Sequence, residues 1–281
     1  MIRTDLAIEA VNAVCVDKAA AGVDFERTEV GGVTVERVHI RSAEGERAVG
    51  KGQGTYVTVT GNFFAHASPD NLEQMRFCVA TELTRLLGGR EKGGVLVVGL
   101  GNRGCTPDAL GPLCVSHLFV TRHMKAELSR ILDDPALLSV SGLAPGVLGQ
   151  TGLETGEVVR GVVEQAHPSL VIAVDALVAK DAERLGTTVQ LASVGLSPGS
   201  GVGNKRAELS QASLGVPVIS VGVPTVVDAE TLGGRAGDDR IVTPREIDLL
   251  IDRAARLVAD GINRALYPSL DKEDLAALAE N

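Results

Sequence analysis

The sequence predicts an α/β domain in which helices cover a parallel sheet, and three observations carry that prediction. Aromatic residues make up only 2% of the 281 residues, with no Trp, while hydrophobic residues reach 44%. The core is therefore built from Val, Leu, Ile and Ala, which suits strands buried on both faces. Short, wholly apolar runs recur, such as Val95-Leu-Val-Val98 between glycines and residues 170–174, as buried parallel strands require. Segments with helical spacing fill the intervals, which gives the βαβ alternation of a right-handed crossover sheet.

Residues 4–18 read as a short helix, and residues 32–39 and 55–60 alternate apolar and polar side chains like half-exposed strands. Leu72, Met75, Val79, Leu83 and Leu86 share one helical face, stopped by Gly88 and Gly89. After the strand at 95–98 comes a glycine-rich loop, 99–112, then a helix predicted over 113–132. A helix is expected at 155–165, a buried strand at 170–174 ending in Asp175, and a third strand at 216–221. Near the C-terminus, Thr243-Pro244-Arg-Glu246 has the form of a capping box, followed by an apolar stripe of Ile247, Leu250, Ile251, Ala254, Val258 and Ile262. Residues 271–281 form a charged tail with weak helical character. No internal repeat or Pro/Ser-rich linker divides the chain.

Charge and cysteine spacing exclude several function classes. The formal net charge of −9 argues against nucleic acid as the main partner, since phosphate binding needs concentrated Lys and Arg. It fits simple solubility, or attraction of basic polypeptide segments. No two of the four cysteines, Cys15, Cys78, Cys105 and Cys114, have CxxC spacing, so a zinc ribbon or thioredoxin-type motif is excluded. No apolar run reaches the roughly 18 residues that a membrane span needs, and the start has no secretory h-region. A cytoplasmic location with reduced thiols is expected.

Gly99-Leu-Gly101-Asn-Arg-Gly104 fits G-x-G-x-x-G after a strand, but a dinucleotide site needs the third glycine inside a helix facing the pyrophosphate. Cys105-Thr-Pro107 follows at once, so the glycines instead let backbone crowd around the end of the strand. Asp108 lies just beyond that strand and Asp175 at the end of another. In an open parallel sheet, sites form outside the carboxyl ends of strands. Two carboxylates meeting there split their titrations and can activate water and protonate a leaving amide nitrogen. Each acid also has a plain reading, Asp108 as a helix-start acid and Asp175 as a turn or cap residue. A metal held by both acids with one of His117, His123 or His167 is the next alternative, although none has HExxH spacing. Cys105 lacks a visible histidine partner, and Ser200 lacks the G-x-S-x-G elbow. Asn102 is a candidate for oxyanion support, or a turn former.

Several stretches together resemble a known family. They are Ile2-Arg-Thr-Asp-Leu-Ala7, Gly99-Leu-Gly-Asn102, Thr106-Pro-Asp-Ala-Leu-Gly-Pro112, Pro145-Gly-Val-Leu-Gly149 with Thr151-Gly-Leu-Glu-Thr155, Ile172-Ala-Val-Asp-Ala-Leu177, Val194-Gly-Leu-Ser-Pro-Gly-Ser-Gly-Val-Gly-Asn204, Gly222-Val-Pro-Thr-Val-Val-Asp228 and Val242-Thr-Pro-Arg-Glu-Ile-Asp248. In this order they resemble the germination protease of endospore-forming bacteria across nearly the whole chain.

That resemblance implies a three-layer α/β/α fold with a mostly parallel sheet, of the phosphorylase/hydrolase-like kind found in hydrogenase maturation proteases. It implies an endopeptidase that starts the degradation of small acid-soluble spore proteins at germination, located in the cytoplasm of the forespore and spore core. Asp108 and Asp175 carry over as an atypical aspartic-type catalytic pair, with no cofactor and no resident metal. In the hydrogenase-maturing relatives the matching acids bind nickel with a histidine, which gives the alternative of a metal-dependent maturation peptidase. The family implies a zymogen that trims itself. Asp5-Leu6-Ala7 matches the processing site, with Asp in place of the usual Glu, so residues 1–5 are expected to be residual propeptide and 6–281 a single protease domain. A homotetramer is implied, with protein substrates and neither nucleic acid nor membrane as direct partner.

Overall fold

A computed structural model describes residues 4–14, 22–64, 67–132, 134, 137–197, 208–234 and 240–270. The elements run α1 (Ala7–Val14), β1 (Val23–Val30), β2 (Val33–Ile40), α2 (Ala43–Val49), β3 (Gly54–Thr60), α3 (Pro69–Leu87), β4 (Val95–Gly99), α4 (Leu110–Ser116), α5 (Lys125–Ile131), β5 (Val140–Leu143), α6 (Leu148–Thr151), α7 (Thr155–Ala166), β6 (Leu170–Ala179), β7 (Thr188–Ala192), α8 (Gln211–Leu214), β8 (Val218–Asp228), β9 (Ile241–Val242) and α9 (Ile247–Leu266). Among the described residues one sheet holds all nine strands, in the order β1-β2-β3-β7-β8-β6-β4-β5, with β9 on β8.

The parallel reading holds for β8, β6, β4 and β5, which pair in parallel. The other half, β1-β2-β3-β7, is antiparallel and joins β8 antiparallel through β7, so the sheet as a whole is mixed. Helices cover both faces, giving three layers. Val97, Ile172, Val174 and Ile219 bury one face among residues of α3, α4 and α9. Leu96, Val98, Val171 and Ala173 bury the other with Val159 and Val163 of α7. At the antiparallel end the second face packs on Leu6, Ala7, Ile8 and Val11.

Several local expectations are met by the physics invoked for them. Gly88 closes α3 in the left-handed conformation, and at its start Ser68, which the sequence reading did not name, accepts Asn71 N–H. Strands β2 and β3 fall where alternation placed them. Others differ. The strand at 170–174 does not end at Asp175 but continues to Ala179, because Ala176-Leu177-Val178-Ala179 remains apolar and stays paired with β8. The third strand begins at Val218 and runs on to Asp228.

The single helix expected over 113–132 is two helices, α4 and α5. Between them the chain is claimed by tertiary contacts. Asn263 of α9 accepts from Phe119 N–H at 3.0 Å and donates to the His117 carbonyl at 3.2 Å, and Thr121 and Arg122 N–H both bond to Val140 O at 3.0 Å. Helix α9 starts at Ile247 after Glu246, with no side-chain cap bond, so Thr243 does not cap it. Among the described residues, no helix is long and apolar enough to cross a membrane. The C-terminal tail, Ser200 and residues 1–3 of the expected propeptide lie outside the described residues.

Candidate active site

The site is built where β4 stops. Gly99 pairs with Val174 of β6, and Leu100 N–H still reaches Val174 O at 2.8 Å. Gly101 then turns with φ 112, where a side chain is disfavoured; a Cβ there would lie 2.0 Å from the Asp108 carbonyl oxygen. At the next layer, a Cβ on Gly111 would lie 2.3 Å from Leu100 N. These glycines let the start of α4 rest directly on the strand end. That is the backbone crowding the sequence implied, and it is not a dinucleotide cradle: Gly104 sits in the open loop and helix α4 begins only at Leu110.

Within the loop, a 3-10 turn spans Thr106–Asp108 and packs against β6 and β8. The half-buried Asp108 accepts Asn102 N–H on Oδ2 at 2.8 Å. Asp175 is the first residue of β6 beyond its pairing with β4, and its Oδ1 accepts the Ala176 N–H at 2.9 Å. It is buried, 8% exposed. Main-chain pairing thus brings the loop bearing Asp108 alongside the strand bearing Asp175. Strand alternation puts Asp175 on the same face as Leu177.

Asn102 is engaged as a turn former. Its Oδ1 accepts Gly104 N–H at 2.8 Å and Gln150 Nε2 at 2.7 Å, and its carbonyl accepts Cys105 N–H at 2.9 Å. Cys105 is exposed on the same loop, while Cys78 and Cys114 are buried, and burial raises both thiols. His117 ends α4 with its pKa lowered, first by burial and then by Arg256. His167 closes α7 in a left-handed conformation. Among the described residues, no group of three or more His, Cys, Asp or Glu side chains is placed to hold a metal ion.

The processing pair lies in the same region. Asp5 N–H donates to Val178 O at 2.9 Å, and Val178 N–H donates to Asp5 Oδ2 at 2.9 Å. Val178 is three residues beyond Asp175, roughly 10 Å of extended strand. Leu6 is fully buried. Glu9 fixes the segment by accepting Lys180 N–H at 2.8 Å and Asp181 N–H at 3.0 Å. Sequence reading missed two residues here. Lys51 Nζ and Gln190 Nε2 donate to the Asp5 carbonyl, at 3.1 and 3.2 Å. A polar residue amid the apolar Thr188–Ala192 run was the available signal for Gln190.

An α/β chain with carboxylates on a strand-end loop and on the neighbouring strand has the layout in which open-sheet proteins place a binding site. Comparison with known proteins gives the particular family. A family model described as germination protease matches residues 4–236. A germination protease of Clostridium perfringens is 38% identical over 98% of this chain and 98% of its own length. One from Caldanaerobacter subterraneus is also 38% identical, over 99% and 98%. That of Bacillus velezensis is 41% identical over 98% of this chain and 76% of its own. The chain belongs to the germination protease family and is a peptidase. Among solved structures, a [NiFe] hydrogenase maturation protease HycI from Thermococcus kodakarensis aligns with 20% identity and a TM-score of 0.36, covering 66% of this chain and 98% of that one.

Proposed function

We propose that this peptidase is an endopeptidase that opens the degradation of small acid-soluble spore proteins in the germinating spore, and that Asp108 and Asp175 share a water and a proton to hydrolyse the peptide bond. The observation that supports the reading is that β4 leaves β6 one residue before Asp175 while the turn bearing Asp108 packs against β6, in a chain of a peptidase family. One carboxyl holding a proton while its neighbour stays ionised supplies both the acid and the base that amide hydrolysis needs. The proposal includes cytoplasmic action in the spore core, a homotetramer, and self-cleavage between Asp5 and Leu6. Leu6 is buried and Asp5 is bonded on its N–H, carbonyl and carboxylate, so that cut requires residues 4–9 to leave their seat on β6 first.

Incubation with a purified small spore protein, followed by mass spectrometry of the fragments, tests the reading. Cleavage at one defined bond that survives a chelator is expected. An intact substrate rejects the endopeptidase, and activity that is lost with chelator and restored by nickel favours the metal-dependent alternative.

A further inference from the structure

The chain between β5 and α7 folds around α6 and bonds to itself. Gln150 and Thr151 N–H both donate to Val147 O, at 2.9 and 3.1 Å. Thr151 Oγ1 accepts Leu153 N–H at 3.2 Å, and Thr155 Oγ1 donates to the Gly146 carbonyl at 3.4 Å. Thr155 is buried and begins α7, whose Val159 and Val163 lie in the core on the second face of the sheet. This segment is thus anchored through α7 rather than through the loop that bears Asp108.

From that frame Gln150 reaches across to the loop. Its Nε2 donates to Asn102 Oδ1 at 2.7 Å. The chemistry fixes the direction of this bond. Asn102 Oδ1 also takes the Gly104 N–H at 2.8 Å. A main-chain N–H can only donate, so the atom it meets is the amide oxygen, and the group opposite that oxygen must be a donor too. The other end of the Gln150 amide lies over Gly146, whose φ is 75 and where a Cβ would stand 3.5 Å from Gln150 Oε1. Asn102 in turn donates its own N–H to Asp108 Oδ2 at 2.8 Å. The series Gln150–Asn102–Asp108 therefore ties a candidate catalytic carboxylate to a frame outside its own loop. Packing does little to hold the loop, since residues 103–106 are exposed and Asn102 is half-buried. Hydrogen bonds set its shape. Gln150 is itself exposed, so its bond adds little to folding. Placement is another matter, because a shift of about 1 Å in a reacting group costs roughly a hundredfold in rate.

We infer that Gln150 is a positioning residue for peptide hydrolysis, acting through Asn102 to hold the Asp108 carboxylate in place. The inference rests on the endopeptidase reading, with Asp108 as one of its two acids; Gln150 touches neither substrate nor reacting atoms in it. The role predicts an order among replacements at this position. Lysine keeps a donor within reach of Asn102 Oδ1, whereas methionine keeps the length of the side chain without one. A residue that only filled space would rank them the other way.

The test times cleavage of a purified small spore protein by the parent, Gln150→Met and Gln150→Lys, and by Asn102→Ala with and without Gln150→Met. Amide hydrogen exchange is recorded for the same proteins. Gln150→Met is expected to lower kcat about tenfold while KM stays within about threefold, and Gln150→Lys should recover most of that loss. In the Asn102→Ala background, Gln150→Met should cost no more than about a further twofold, because it acts through the residue already removed. Parental kcat in Gln150→Met, a change in KM alone, or a full second loss in the Asn102→Ala background overturns the role. Exchange at the Asn102 and Gly104 amides should quicken about fivefold or more in Gln150→Met, and slow again in Gln150→Lys. Exchange in α7 is the folding control: equal quickening there, or unchanged exchange in the loop, overturns the anchor. Should the parent leave the spore protein intact, the endopeptidase reading fails and loop exchange alone decides whether Gln150 holds Asn102.

Discussion

The parallel half of the sheet, β8-β6-β4-β5, is apolar on both faces, whereas the antiparallel half ends in β1, of which only Val23 is buried. In the antiparallel half, β1, β2 and β3 pair over almost their whole lengths and leave no gap between neighbours. In the parallel half, β4 ends at Gly99 while β6 and β8 run on together, which leaves a step in the sheet. The turn bearing Asp108 packs against β6 and β8 there, and Asp175 is the first β6 residue beyond the end of β4. Unequal strand length, rather than strand composition, is what distinguishes the half that carries the two candidate acids from the half that does not.

The comparison can be broken by mutation. The largest loss of stability is expected from Ile172→Ala, which empties a fully buried position in the parallel half and should cost about 4 kcal/mol in denaturant unfolding. Next is Glu82→Gln. Glu82 on α3 holds Arg37 of β2 through two bonds, at 2.9 and 2.6 Å. Losing that buried charge should cost about 3 kcal/mol, with proteolysis per folded molecule unchanged, since only the supporting half is touched. Gly101→Ala should cost about 2 kcal/mol through its positive φ, but depress proteolysis far more than stability because the new methyl displaces Asp108. Equal loss from Gly101→Ala and Glu82→Gln in activity per folded molecule would erase the distinction between the halves. The smallest effect is expected at Val30→Thr on the exposed strand β1, within about 0.5 kcal/mol.

Much of this was legible in the sequence. Wholly apolar runs marked β4 and the first half of β6, and the apolar stripe of α3 with Gly88 after it marked a helix that stands as read. What sequence periodicity does not record is where a tertiary partner overrides it. The helix predicted across 113–132 breaks because Asn263 and Val140 take its main-chain groups. Strand β7 was hidden because Thr188-Val-Gln-Leu-Ala192 is short and carries a glutamine whose partner, the N-terminal segment, is distant in the chain. The two acids were legible as strand-end residues, but Asp175 owes its place to β4 stopping short, not to β6 ending there. Lys51 was illegible, since a lysine between two glycines carries no sign that its ammonium meets the carbonyls of Thr4 and Asp5.

The central claim is that two carboxylates act jointly at the step in the sheet. It is tested most directly by the rate at which Asp108→Asn, Asp175→Asn and the double variant cleave a purified small spore protein, with thermal unfolding recorded for each. Each single variant is expected to slow cleavage roughly a hundred- to ten-thousand-fold, with melting close to that of the parent and little further loss in the double variant, because paired groups act as a unit. Cleavage at the parental rate by either folded single variant would contradict the account.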